Sequence, residues 1–156
     1  MTDLPGVAPR LGRRGAILRD VSEENVDAAR RMHEAFNRTF SEGTADLFEA
    51  LHPEAEWIPI TAVLDGTSYR GESAIRRWMD DMKHQWEFYE TRPEEFLDLG
   101  DDRVLVLGTW QAQGRGSGVE LNSQQAAWLI RVEAGKVIRM QTFTDRHKAF
   151  EAAGLR

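Results

Sequence analysis

The chain has 156 residues, 41% hydrophobic and 29% charged, and its 20 Lys and Arg stand against 26 Asp and Glu for a net charge of -6. That length suits one domain with one sizeable core, the hydrophobic share disfavours wholesale disorder, and the negative charge repels a phosphate backbone, so no nucleic acid partner is expected. With no cysteine, disulfides, thiolate nucleophiles, zinc–thiolate sites and iron–sulfur clusters are excluded.

Residues 1–20 contain Pro5, Pro9, three glycines and four arginines without helical or alternating periodicity, which predicts a flexible N-terminal tail followed by one domain over residues 21–156. This start lacks a signal-peptide apolar centre, and no apolar run approaches the roughly 18 residues that span a bilayer. A soluble, cytoplasmic protein with no membrane partner is expected. Ser22 then predicts a helix cap, with Glu23 and Glu24 in the first turn and an apolar stripe of Val26, Ala29, Met32, Phe36 and Phe40. After Gly43 a short second helix carries Leu47, Phe48 and Leu51, and Pro53 stops it. "AEWIPI" predicts a strand that Pro59 confines to an edge or bulge. "YRGESAIRRWMDDMKHQW" has Ile75, Trp78, Met79, Met82 and Trp86 at helical spacing.

Strands follow: "EEFLDL", "RVLVLGTWQAQ", "VELNSQQAAWLIRV" and "VIRMQTFT", separated by "GDD", "GRGSG" and "EAGK" turns, which predicts an antiparallel meander. "GRGSG" lacks a GK[ST] ending and does not precede a helix, so it is a hairpin turn and not a phosphate loop. The predicted class is α+β: three N-terminal helices packed on a strongly curved antiparallel sheet, a cone-shaped α+β barrel with a short C-terminal helix and a cavity suited to a small ligand.

The order of these elements, with "ARRMHEAFNRTFSEGTADLFEALHPEAEW", "YRGESAIRRWM" and "GKVIRMQTFTDRHKAFEAAGL", resembles the SnoaL-like branch of the nuclear transport factor 2-like superfamily over about residues 22–155. The resemblance implies the cone fold. It leaves activity open, because the fold carries cyclases, isomerases, hydrolases, transport factors and catalytically silent members. In the polyketide cyclases and limonene-type epoxide hydrolases of this superfamily an acid near the end of the final strand serves acid–base chemistry, and Asp145 matches its position. The Arg and Asp that the epoxide hydrolases also use align with Trp110 and Ala112, and the carboxylate of the steroid isomerases aligns near Ile58 or Pro59, so neither of those mechanisms is expected.

Asp145 admits two readings. As the cap of the last helix it precedes Arg146, Lys148, Phe150 and Ala153, with Gly154 at the C-terminal position. As a catalytic acid–base group it would face the cavity on the strand face shared by Gln141 and Phe143, opposite Met140, Thr142 and Thr144. His33, at the border of the first helix's apolar stripe, is the second catalytic candidate, as acid, base or hydrogen-bond donor; a boundary histidine satisfied by a neighbour is the alternative. His33, His52, His84 and His147 form no metal-binding spacing, so no metal and no other cofactor is expected. Trp57, Tyr69 and Trp110 are candidate pocket aromatics, with Gln124, Gln141 and Phe143 beside them, whereas Trp78 and Trp86 belong to helix packing.

The expected function is a small-molecule pocket protein for a compact, mostly apolar ligand, possible chemistry being cofactor-independent cyclisation or isomerisation by proton transfer. The alternatives are a non-catalytic binder and a dimeric interaction protein. "AAWLIRV" is apolar at successive positions, as a strand buried on both faces would be, so a homodimer through the outer face of the sheet is expected.

Overall fold

The computed structural model describes residues 10–155, with side chains from Glu23 onward. Five helices, α1 (Arg10–Glu42), α2 (Asp46–Ala50), α3 (Ala62–Asp65), α4 (Glu72–Gln85) and α5 (Arg146–Ala153), surround six strands, β1 (Leu51–Ile58), β2 (Tyr69–Arg70), β3 (Trp86–Asp98), β4 (Arg103–Gly114), β5 (Glu120–Glu133) and β6 (Lys136–Phe143). The α+β class and the curved sheet are as expected.

The first difference lies at the N-terminus. α1 begins at Arg10 and carries Ser22 in its interior, so the latter half of the expected tail is helical, and residues 1–9 lie outside the described residues. The stretch after Pro9 has no further proline, and Ala, Leu and Arg are good helix formers that offset the roughly 1 kcal/mol lost at each of Gly12 and Gly15. α1 ends at Gly43, whose left-handed backbone (φ 76°) lets its N–H bond the Thr39 carbonyl at 3.1 Å. The buried Thr39 hydroxyl then accepts the Leu47 N–H at 3.0 Å, which fastens α2 against α1.

Strands β3 to β6 form the expected meander, each pair antiparallel. Ala134 and Gly135, both at positive φ, make the two-residue turn from β5 to β6. β3 begins at Trp86, directly after α4, so the strand is longer than "EEFLDL" predicts and Trp86 belongs to it rather than to the helix. The sheet order is β2-β1-β6-β5-β4-β3, with β1 parallel to β6. A wholly antiparallel sheet was expected; the parallel pair arises because β1 enters beside the last strand of the meander rather than beside the first.

Register shifts interrupt β3 against β4 and β4 against β5, and such bulges bend a sheet and raise its twist. At one of them Pro93 lies opposite Gly108. A Cβ on Gly108 would stand 2.2 Å from the Arg92 carbonyl oxygen, so only glycine permits this approach.

Alternation sorts β4 cleanly. Val104 and Val106 point to the concave side, among Met32, Phe36, Trp57, Trp78 and Ile130. Leu105 and Leu107 point to the convex side, where they meet Ala127, Leu129 and the α5 residues Ala149 and Ala153. On the convex side the burial of "AAWLI" is met within the chain by α5. Among the described residues no helix is long and apolar enough to cross a membrane.

Candidate functional site

A cavity opens between the concave face and the helices. α1 supplies Met32, His33 and Phe36; the end of β1 and the residues after it supply Trp57, Pro59 and Ile60; α4 supplies Trp78; and the sheet supplies Tyr89, Thr91, Trp128, Met140 and Thr142. Its free space is about 20 Å³, room for one water-sized guest. The aromatic walls hold one another closely. Phe36 lies 6.1 Å from Trp57 and 5.8 Å from Tyr89 between ring centroids, Trp57 lies 5.8 Å from Trp78, and the Trp78 indole N–H donates to Thr61 Oγ1 at 3.2 Å.

His33 is the buried ionisable nitrogen of this cavity. Its position next to Met32 turns it from the apolar stripe toward β3, and Asn37, one helical turn later, faces the same strand. His33 Nδ1 lies 3.1 Å from Thr91 Oγ1, and the ring meets Trp128 edge-on at 4.6 Å. Nε2 is buried with no hydrogen-bond partner among the described residues. Burial lowers the imidazole pKa from 6.5 to about 3, because a cation there would lose its hydration. At neutral pH His33 is therefore an uncharged ring. Burial likewise pushes the Tyr89 phenol up, which keeps it protonated. The Trp57 indole nitrogen is likewise buried without a partner among the described residues, so two orphaned nitrogens belong to the walls of one apolar space.

Of the residues proposed from the sequence, His33 and Trp57 line the cavity. Asp145 does not. It is exposed, and its carboxylate accepts the backbone N–H of His147 at 2.8 Å and of Lys148 at 3.4 Å, as the cap of α5. Phe143 packs on the convex cluster with α5. Gln141, in the same strand phase, accepts from Arg139 Nη1 at 3.3 Å. The cavity face of β6 is the other one, with Met140 and Thr142. The physical reason is the seat of α5: it covers the convex side, so the strand residues in phase with its contacts turn away from the cone. Trp110 stands behind the wall, stacked on Tyr89 at 5.5 Å, with its own indole nitrogen buried and unpartnered. Tyr69 is half-buried, 6.5 Å from Trp78, and Gln124 is exposed, its amide donating to the Asn122 carbonyl at 2.9 Å.

Two kinds of signal would have found the missed residues. Asn37 follows His33 at i+4, and Arg139 and Gln141 mark one β6 face as polar, which leaves Met140 and Thr142 for the interior. Asp145→Ala is expected to cost about 1 kcal/mol through the lost cap while leaving the cavity intact, as urea denaturation and the tryptophan emission of the native state would show.

A model of the SnoaL-like domain matches residues 29–140. The chain belongs to the SnoaL-like family. Solved structures share the fold of this SnoaL-like chain. An NTF2-like protein of unknown function from Burkholderia pseudomallei K96243 is 20% identical, with 82% of this chain and 95% of that one covered and a TM-score of 0.65. TerC co-crystallised with polyporic acid is 21% identical, with 84% and 98% covered and a TM-score of 0.65. A putative polyketide cyclase from Sinorhizobium meliloti is 21% identical, with 75% and 94% covered and a TM-score of 0.56. At these identities the likeness is one of fold. No curated protein matches this SnoaL-like sequence.

Proposed function

We propose that this SnoaL-like domain binds a compact, mostly apolar small molecule in the cone, held by hydrogen bonds to Trp57 Nε1 and His33 Nε2. The observation that carries this reading is the pair of buried, unpartnered nitrogens on the walls of one aromatic cavity. A buried polar group without a partner costs about 1–3 kcal/mol, and a ligand with matching groups removes that cost. The rings supply area for a flat guest at small entropic cost. The guest makes its room by displacing Met32 and Met140, unbranched side chains that adapt readily.

A cofactor-independent cyclase or isomerase is the second reading, and it passes from Asp145 to His33. The observation in its favour is a neutral imidazole at a water-poor surface with one nitrogen free. Such a ring serves as a hydrogen-bond partner to an enol or enolate, and it is a weak base because its conjugate acid is strong.

Acetophenone, a compact aromatic ketone, is the first probe. It is expected to shift the Trp57 indole N–H resonance on titration, and Trp57→Phe is expected to weaken binding about tenfold through the lost donor. Binding unchanged in that variant, or no binding by the native protein, would remove Trp57 or the pocket itself from the reading.

A further inference from the structure

The surroundings of His33 determine which of its ring nitrogens carries the proton, and with it the kind of ligand group that the cavity accepts. Asn37 Nδ2 donates to the Thr91 carbonyl at 2.9 Å, and Asn37 Oδ1 accepts the Thr91 backbone N–H at 3.0 Å. A backbone carbonyl only accepts and a backbone N–H only donates, so this pair of bonds fixes the amide of Asn37 one way round. Oδ1 is thereby held toward the Thr91 hydroxyl, 3.4 Å away. On its other side that hydroxyl meets His33 Nδ1 at 3.1 Å.

Two arrangements fit these atoms. In one, Nδ1–H donates to Thr91 Oγ1 and the hydroxyl donates onward to Asn37 Oδ1, so that two hydrogen bonds form and Nε2 keeps a bare lone pair. In the other, the hydroxyl donates to Nδ1, one bond forms, and a buried Nε2–H is left without an acceptor. Nε2 is unpaired in either arrangement, but the first forms one more hydrogen bond and so satisfies more of the network.

We infer that Asn37 and Thr91 are positioning residues that hold His33 as the Nδ1–H tautomer, so that the cavity selects ligands presenting a hydroxyl donor, such as a phenol or enol, to Nε2. This selectivity rests on the pocket proposed above, while the tautomer is a property of the free protein. Together with Trp57 Nε1–H, which demands an acceptor, it describes a hydroxylated aromatic or enolic carbonyl compound.

The test has two parts. Long-range proton–nitrogen NMR of the free protein is expected to show His33 Nε2 unprotonated and Nδ1 protonated. Thr91→Ser is expected to keep that pattern and Thr91→Val to lose it. A protonated Nε2 in the native protein overturns the assignment. Phenol is then compared with anisole, which has the same ring and no donor, and is expected to bind about tenfold more tightly. The preference should persist in Thr91→Ser and fall in Thr91→Val. Phenol binding no more tightly than anisole overturns the donor selectivity, whether or not acetophenone, the separate test of the pocket, binds.

Discussion

Phe36→Ala is expected to lower the stability of the fold by about 3–5 kcal/mol, the cost of removing a large buried aromatic ring. Phe36 is 4% exposed and is the ring on which the others converge. Phe40, Trp57, Trp78 and Tyr89 stand 6.5, 6.1, 6.2 and 5.8 Å away between centroids. These partners come from α1, β1, α4 and β3, so no single element can move inward to fill the space without leaving another contact, and the void persists. Part of the cost is lost transfer energy and part is the uncollapsed cavity. Urea denaturation at constant m-value would measure it. Because Phe36 also walls the cavity, the variant gains room for a ring, and benzene should raise its melting temperature more than that of the native protein. A loss below about 1 kcal/mol would contradict the convergent packing.

The second large effect is acid sensitivity from His33. Its pKa is 6.5 when unfolded and about 3 when folded, so between those values the unfolded chain holds a proton that the folded chain refuses. The stabilising contribution is complete above pH 6.5 and falls as the pH drops toward 3, by up to about 1.4 kcal/mol per pH unit. Over the whole window that sums to roughly 5 kcal/mol at most. Carboxylates add their own acid dependence, so the informative quantity is the difference between the native protein and His33→Gln, which has no titrating ring. That difference is expected to change steadily from pH 6 to pH 4. If it stays flat, the imidazole accepts its proton in the folded state and is not sealed in the core.

Much of the architecture could be read from the chain because its local signals agree with one another. The apolar stripe Ala29, Met32, Phe36 and Phe40 is buried as its spacing requires, and Gly43, Gly135 and Gly154 occupy left-handed positions at turns and helix ends. The parallel pairing of β1 with β6 was not legible, since no local periodicity states which distant strand lies alongside. The site was harder still. Asp145 satisfies the chemistry of a helix cap and of a catalytic acid equally well on paper, and the side of the sheet that receives α5 decides between them. His33 and Trp57 were found because a lone imidazole borders an apolar stripe and because the strand carrying Trp57 was expected to approach the cavity. Thr91 escaped because threonine is ordinary in strands, and its importance comes from two residues of α1, His33 and Asn37, that sequence alone does not bring near it.

The parallel pair also dictates an order of assembly. Leu51 is matched with Val137, and Trp57 with Met140, so the wall carrying Trp57, paired on its other edge with the two-residue β2, lacks its long neighbour until nearly the entire remainder of the polypeptide has been threaded. Hairpins close over short loops, whereas this pairing must first overcome the entropy of a very long one. Refolding should therefore bring protection to the amides of β4 and β5 before those of β1, and a pulse of hydrogen exchange would catch the cone while it is still open on the side where the guest belongs.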